Sequence, residues 1–343
     1  MFKYVVKRLL LMMFVFFVII TMCFFLVKLL PDKPPQSQPG SDSYNIIMMR
    51  RKALGYDKPL IEQYAIFLEK TLLGTDPDNN VWLGYDFNNN VFKGGNWGLS
   101  EQLYPNHEIW DVFLTKLPST MLVNIVTMIV AVPAGLALGI YAALKKNKWQ
   151  DHFISTGVMV FISVPGYVYC FLIQYILCHK LVEWTGWGFP LTMKAGTDYF
   201  SWDMFVSIVP PVLSLALGTI AGLARYTRAE LCEVLTQEYM LLARTKGLTR
   251  GQATVRHALR NSMVPIFPMI LGEFIGIIGG SLIVEQIFGI PGVGGLYLAS
   301  ITALDYNVYL LLNSFYTLVG LTANIVVDLS YGFVDPRIRM GER

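Results

Sequence analysis

Charge is scarce in this chain. Lys, Arg, Asp and Glu together make up 15% of its 343 residues, where a soluble domain carries about 25%. That shortfall excludes the two or three soluble domains that the length alone would allow. Cysteine is scarce too. Cys23, Cys170 and Cys178 lie in apolar runs and Cys232 sits among polar residues. None has CxxC or zinc-type spacing, so all four read as small buried hydrophobes. The histidines His107, His152, His179 and His257 are scattered and show no ligand spacing. There is no GxxxxGK(S/T) phosphate loop, no Ser/His/Asp set and no metal cluster. No catalytic residue, metal or cofactor is therefore assigned, and the chain is not read as an enzyme. The net charge of +3 is too small to imply a polyanion, which sets nucleic acid aside.

What the chain has in abundance is long apolar runs. A membrane span needs ~20 mostly apolar residues. Six such runs occur, at about Leu9–Leu30, Leu117–Leu144, Phe153–Leu181, Met204–Ala224, Met263–Phe288 and Val308–Tyr331. The first follows Lys3, Lys7 and Arg8 and mimics a signal peptide. It is longer than the ~7–15 residues of a signal core, and Pro31-Asp32-Lys33-Pro34 follows it in place of a small-residue cleavage site. It reads as an uncleaved first span, with Lys28 snorkelling at the outer end. Pro210-Pro211 interrupts the fourth run, which a bundle tolerates where neighbouring helices satisfy the freed carbonyls. The expected fold class is an all-α polytopic membrane protein.

The basic residues set the orientation. They cluster before the first span, after the second (Lys145, Lys146, Lys148), between the fourth and fifth (Arg225, Arg228, Arg244, Lys246, Arg250, Arg256, Arg260) and after the sixth (Arg337, Arg339, Arg343). Six spans put all four clusters on one side, the cytoplasmic one, with both termini inside. The loops Lys180–Trp202 and Gly289–Asp305 are poor in base and lie outside. So does the connection from Pro31 to Asp111, with 11 acidic against 7 basic residues, a helix-like piece at Pro59–Leu73 and a Gly/Asn-rich stretch at Gly74–Trp97. The expected organisation is a tail and first span over 1–30, an extracytoplasmic cap over 31–116 and a five-helix core over 117–343.

Small residues recur four apart: Gly135 and Gly139 with Ala143, Gly218 and Gly222, then Gly272, Gly276 and Gly280. That spacing lets helix backbones approach closely in lipid and points to a tight bundle. Glu273 is the one carboxylate well inside a span and shares a face with Gly276 and Gly280. It is either a pathway residue that meets a charged end of the substrate or a hydrogen-bond node between helices. Asn324 and Asp328 form an i, i+4 pair near the inner end of the sixth span, with Asp328 an interfacial cap or the partner of a loop arginine.

Between Arg225 and Asn261 the chain keeps a helical pattern. Leu231, Val234, Leu235, Tyr239, Leu242 and Ala243 recur at three and four, Gly247 breaks the run, and Gln252–Leu259 resumes it. Basic residues here could serve topology and anionic lipid alone. Topology, however, does not need about 35 ordered residues with a turn in the middle. An amphipathic hairpin suits docking into a groove on a soluble partner.

The segment Ala243-Arg244-Thr245-Lys246-Gly247-Leu248, then Arg256-His257-Ala258-Leu259-Arg260-Asn261, then Pro265, resembles the cytoplasmic loop of ATP-binding-cassette importer permeases of the oligopeptide/dipeptide/nickel branch. Other stretches resemble the same family: Val5–Leu10, Leu54–Leu60, Trp97–Ser100, Leu117–Thr120, Val284–Phe288, Pro291–Gly294 and Asp335–Arg339. Two departures stand out. Leu241 occupies a position that is often Glu in the wider superfamily, and Asp76–Lys93 looks like an insertion in the external segment. The resemblance implies the six-helix type I importer permease fold, multi-pass in the bacterial cytoplasmic membrane. It implies a loop over 225–262 that meets the ATPase, carried by Ala243, Arg244, Lys246, Gly247, Leu248, Arg256, His257 and Arg260. It implies as partners a homologous second permease, two ATPase subunits that hydrolyse ATP and an extracytoplasmic peptide-binding protein. The expected solute is an oligopeptide, with dipeptides, glutathione or nickel as alternatives. A secondary transporter would need inverted repeats and more intramembrane charge than this chain has.

Overall fold

The computed structural model describes residues 2–30, 39–53, 55–74, 81–82, 85–86, 91–92, 95–105, 107–194 and 198–334. Nearly all of them are helical. Five helices are long and apolar enough to cross a membrane, and a bent pair makes a sixth crossing. The long helices are α1 (Phe2–Lys28), α4 (Ile109–Leu144), α8 (Trp202–Val234), the run Arg250–Gly279, and α14 (Tyr306–Val334). At ~1.5 Å per residue, α4 and α8 are about 54 and 50 Å long, well beyond the ~30 Å hydrocarbon core, so both reach into water. α8 continues through Pro210 and Pro211 without a break, and both prolines are buried.

The third span is not one straight helix. α5 (Trp149–Ser163) and α6 (Gly166–Gln174) meet at 100°. Pro165 explains the bend, because the residue before a proline is driven out of the helical region, and Val164 sits at φ −88°, ψ 130°. The Tyr169 hydroxyl reaches back across the corner and donates to the Phe161 carbonyl. α6 runs on through a π-turn (Tyr175–Lys180) into α7 (Leu181–Thr185).

The fifth span corrects the sequence expectation of a continuous run from Met263 to Phe288. α10 (Arg250–Ala253), a π-turn (Thr254–Ala258) and α11 (Leu259–Gly276) form one run that ends in a 3-10 turn at Ile277–Gly279. Gly280 then takes φ +68°, and α12 (Leu282–Ile287) starts afresh. The expected external loop Gly289–Asp305 is mostly the short apolar helix α13 (Val293–Ala303).

The chain divides into two compact units. The first comprises Met1–Met12, Pro118–Gly294 and Val319–Arg343, the second Met13–Leu117 and Gly295–Leu318. In the first unit, Val123, Cys170, Met204, Ile208, Val212, Val284 and Phe288 form one buried cluster. Glycine matters on α4. A Cβ on Gly135 would lie 2.7 Å from the Leu223 Cβ, and one on Gly139 would lie 2.6 Å from the Thr227 Cβ and 2.7 Å from the Ala224 carbonyl oxygen. The close approach expected of Gly135 and Gly139 is therefore real. A Cβ on Gly218, Gly222 or Gly276 would meet nothing within 4 Å beyond its own helix backbone, so these glycines do not tighten packing within the described residues.

The second unit is held by polar contacts as much as by apolar ones. α2 (Asp42–Ala53) and α3 (Leu60–Leu72) lie in the connection between α1 and α4, with α3 where the helix-like piece was expected. Phe24, Phe25, Tyr64, Phe67 and Trp97 stack together, and the Lys28 ammonium lies 3.6 Å from the centre of the Tyr56 ring. Asp305, only 1% exposed, accepts hydrogen bonds from the Ser100 hydroxyl (2.6 Å) and the backbone N–H groups of Gln102 (3.0 Å) and Leu103 (3.1 Å). Arg51 and Glu101 form an ion pair at 3.0 Å. Of the apparent insertion at Asp76–Lys93, only three two-residue strands are described: β1 (Val81–Trp82), β2 (Tyr85–Asp86) and β3 (Val91–Phe92). They form an antiparallel sheet in that order. The C-terminal motif Asp335–Arg339 lies outside the described residues.

Candidate coupling site

α8 ends at Val234, so Arg225 and Arg228 belong to that helix and not to the connection that follows it. α9 (Glu238–Thr245) comes next and stops at Gly247, whose φ is +89°. The stop is a Schellman turn: the Leu248 N–H bonds the Ala243 carbonyl (3.3 Å) and the Gly247 N–H bonds the Arg244 carbonyl (3.0 Å). Nothing lies within 4 Å of where a Gly247 Cβ would be, so glycine is required for its backbone conformation and not for space. Thr249 then opens α10 with a capping box. Its hydroxyl accepts from the Gln252 N–H (3.3 Å), and the Gln252 side-chain oxygen accepts from the Thr249 N–H (3.0 Å). Helix stop, glycine and helix start are thus fixed within three residues.

The inner face of this hairpin is small and apolar. Met240, Ala243, Ala253 and Ala258 are buried against Leu231 and Cys232 of α8 and Ala143 of α4, with Leu248 half-buried at the edge. Alanines here let α9 settle directly on the ends of two long helices. Arg244, Lys246, Gly247, Arg256, His257 and Arg260 all face outward. The predicted residues therefore divide: Ala243 and Leu248 hold the turn in place, and the six others present a surface. The π-turn at Thr254–Ala258 carries Arg256 and His257.

Three exposed apolar residues join that surface: Leu241 (66% exposed), Leu242 (56%) and Val255 (65%). Leu242 shares the apolar recurrence with Ala243, yet it faces outward. Met240 and Ala243 fill the inner positions three apart, and helical geometry then turns 241 and 242 outward. Counting the period from Met240 would have revealed it.

Two ion pairs tie helices of the first unit together. Asp151 at the start of α5 is 1% exposed and takes a bidentate pair from Arg228 (2.5 and 2.8 Å). It also accepts from the backbone N–H of Asn147 (2.9 Å), which is held at φ +62°. Asp328 pairs with Arg8 at 2.9 Å, so its partner comes from the N-terminal helix and not from a loop. This puts the start of α1 and the C-terminal part of α14 side by side.

Arg250–Gly279 is one helical run from the Gly247 turn to the break at Gly280. Glu273 lies on it, about 20 Å along the axis from Arg260. It is exposed and makes no hydrogen bond or ion pair among the described residues, so it is not a node between helices within this chain. At the far end, Asn124 donates to the Ile277 carbonyl (3.0 Å) and the Thr120 hydroxyl donates to Glu285 (2.8 Å). The Val293 N–H closes the set on the Thr120 oxygen (2.9 Å). Glu285 is 4% exposed, and a Cβ on Gly280, Gly292 or Gly294 would come within 3.0 Å of its carboxylate. The Val284–Phe288 and Pro291–Gly294 motifs are thus the two walls of a carboxylate pocket.

Sequence comparison identifies the class of protein in which this arrangement occurs. Residues 135–340 match the family model described as binding-protein-dependent transport system inner membrane component, and residues 1–124 match the model of its N-terminal part. The chain belongs to that family. It is a multi-pass permease subunit of an ABC importer. Among its relatives, the dipeptide transport system permease protein of Lactococcus lactis subsp. cremoris (strain MG1363) is 31% identical over 99% of this chain and 100% of its own. The protein of the same description from Bacillus subtilis (strain 168) is 30% identical over 99% of each chain. The glutathione transport system permease protein of Escherichia coli (strain K12) is also 30% identical over 99% of each chain.

Proposed function

We propose that this permease forms, with a homologous second permease, the path by which a bacterial importer takes up oligopeptides, the solute class that dominates the branch it resembles. Two ATPase subunits drive the cycle by hydrolysing ATP, and an extracytoplasmic binding protein delivers the solute. The names of the relatives support a peptide over nickel, since dipeptide and glutathione permeases resemble this chain equally well. The basic clusters support a topology with both termini in the cytoplasm and the 31–116 segment outside.

The observation that carries the coupling role is the Schellman turn at Gly247, with its outward face of Leu241, Leu242, Arg244, Lys246, Arg256, His257 and Arg260. Apolar side chains ringed by cations on a fixed hairpin suit a groove on an ATPase. Through the helical run Arg250–Gly279, tilting of the hairpin would move Glu273 and the break at Gly280. Glu273 is the pathway residue in this reading, placed to meet a charged end of a peptide.

A photoreactive residue at position 241 tests the docking. In the assembled transporter it should capture an ATPase subunit, and capture should change between nucleotide-free and ATP-bound states. Failure of position 241 to capture it in a complex that transports would reject this surface. The solute is tested by identifying the ligand carried by the binding protein that co-purifies.

A further inference from the structure

A groove of about 480 Å3 lies between α5 and α8. One end is polar, with His152 at the start of α5 and Arg225 on α8. The other end is apolar, walled by Ile154, Val158, Met159 and Ile162 along about 12 Å of α5. The polar end is next to the basic turn Lys145–Lys148, where α5 begins. Ser163, at the far end, donates its hydroxyl to the Met159 carbonyl (2.8 Å) and adds no polar demand there.

The two arginines of the groove are not equivalent. Arg228 is committed to Asp151 in a bidentate pair. Arg225, one turn deeper on the same helix, is exposed and makes no ion pair or hydrogen bond among the described residues. An uncommitted guanidinium above an apolar slot, immediately after the apolar run Met204–Ala224, matches one ligand chemistry: an anionic head with a hydrocarbon tail. We propose that this groove binds one anionic phospholipid, its phosphate on Arg225 and His152 and an acyl chain along Ile154–Ile162. The bound lipid would fill the opening between α5 and α8 and hold the two helices at a fixed distance. The inference goes beyond the transport reading and stands whichever solute the importer carries.

The test uses the transporter purified from its native membrane in mild detergent, together with the subunits it assembles with. Retained phospholipids are quantified by mass spectrometry. Thermal stability is measured with added phosphatidylglycerol, phosphatidylcholine or inorganic phosphate. The wild type is expected to retain anionic phospholipid in preference to phosphatidylcholine and to be stabilised by phosphatidylglycerol alone. Arg225→Gln should lower the retained anionic lipid about fivefold, the effect of losing one basic contact to an anionic surface. Met159→Trp, which fills the apolar arm and leaves Arg225 in place, should lower it as well. Three results would overturn the proposal: no anionic lipid on the wild-type complex, as when another subunit covers the groove; unchanged lipid in both variants; or equal stabilisation by inorganic phosphate, which would mark a simple anion site.

Discussion

Gly247 sits in the left-handed region with two backbone hydrogen bonds closing the turn around it and no side chain near it. Those facts rank its substitutions. Asn tolerates this conformation, so Gly247→Asn should cost least. Gly247→Ala should cost about 1–2 kcal/mol, the penalty of a Cβ in that region. Gly247→Pro should be worst, since its φ is locked near −65° and it loses the N–H that bonds Arg244. The order is readable from thermal melting of the purified complex. A second asymmetry belongs to Asp151 and Arg228. The carboxylate is buried and the guanidinium is one-third exposed. Arg228→Ala strands a charge in the interior and should cost up to about 3 kcal/mol, whereas Asp151→Asn leaves an arginine that can reach water and should cost less. Equal losses in the two variants would show that burial does not set the cost.

At the scale of elements, the glycines of α4 and the pocket around Glu285 carry the predictions. Gly139→Leu should push α4 off α8, because even a Cβ there meets the Thr227 side chain and the Ala224 carbonyl. It should lower the yield of folded protein in the membrane, while Gly218→Ala, facing open space, should not. Glu285→Ala removes the acceptor for Thr120 and should cost about 1–3 kcal/mol, with Glu285→Gln recovering part of it through its remaining carbonyl. The apolar runs of α1, α4, α8 and α14, the helix at α3 and the hairpin divided at Gly247 were legible in the sequence because hydropathy and glycine act locally. The 100° corner before Pro165 and the break at Gly280 were not. Both fall inside apolar runs where composition does not change, and partners far along the chain stabilise the second: on α4, Asn124 donates to the Ile277 carbonyl at the broken end of the run, and Thr120 donates to Glu285 of α12 beyond the break. The outward facing of Leu242 was not legible for a related reason, since two adjacent leucines fit the apolar recurrence equally well until Met240 fills the inner position. The glycine turn and the basic motif around it were legible as sequence features. Their division into inward Ala243 and Leu248 and outward arginines needed the packed ends of α4 and α8.

For the whole molecule, the account requires one cytoplasmic face. The Arg8–Asp328 pair joins the beginning of α1 to the C-terminal part of α14 on one side. A cysteine introduced at Lys146 should react with a membrane-impermeant maleimide only after cells are opened. One introduced at Asp78 should react in intact cells. The reverse pattern would invert the topology and place the Gly247 turn outside, where no ATPase could reach it. The most direct measurement of the central claim is peptide uptake alongside ATP hydrolysis in vesicles containing the complete transporter with Gly247→Pro or Gly247→Asn. The account predicts that the proline variant assembles and loses binding-protein-stimulated uptake, while the asparagine variant, which keeps the turn, retains most of it. Uptake at the wild-type rate by an assembled Gly247→Pro transporter would contradict it.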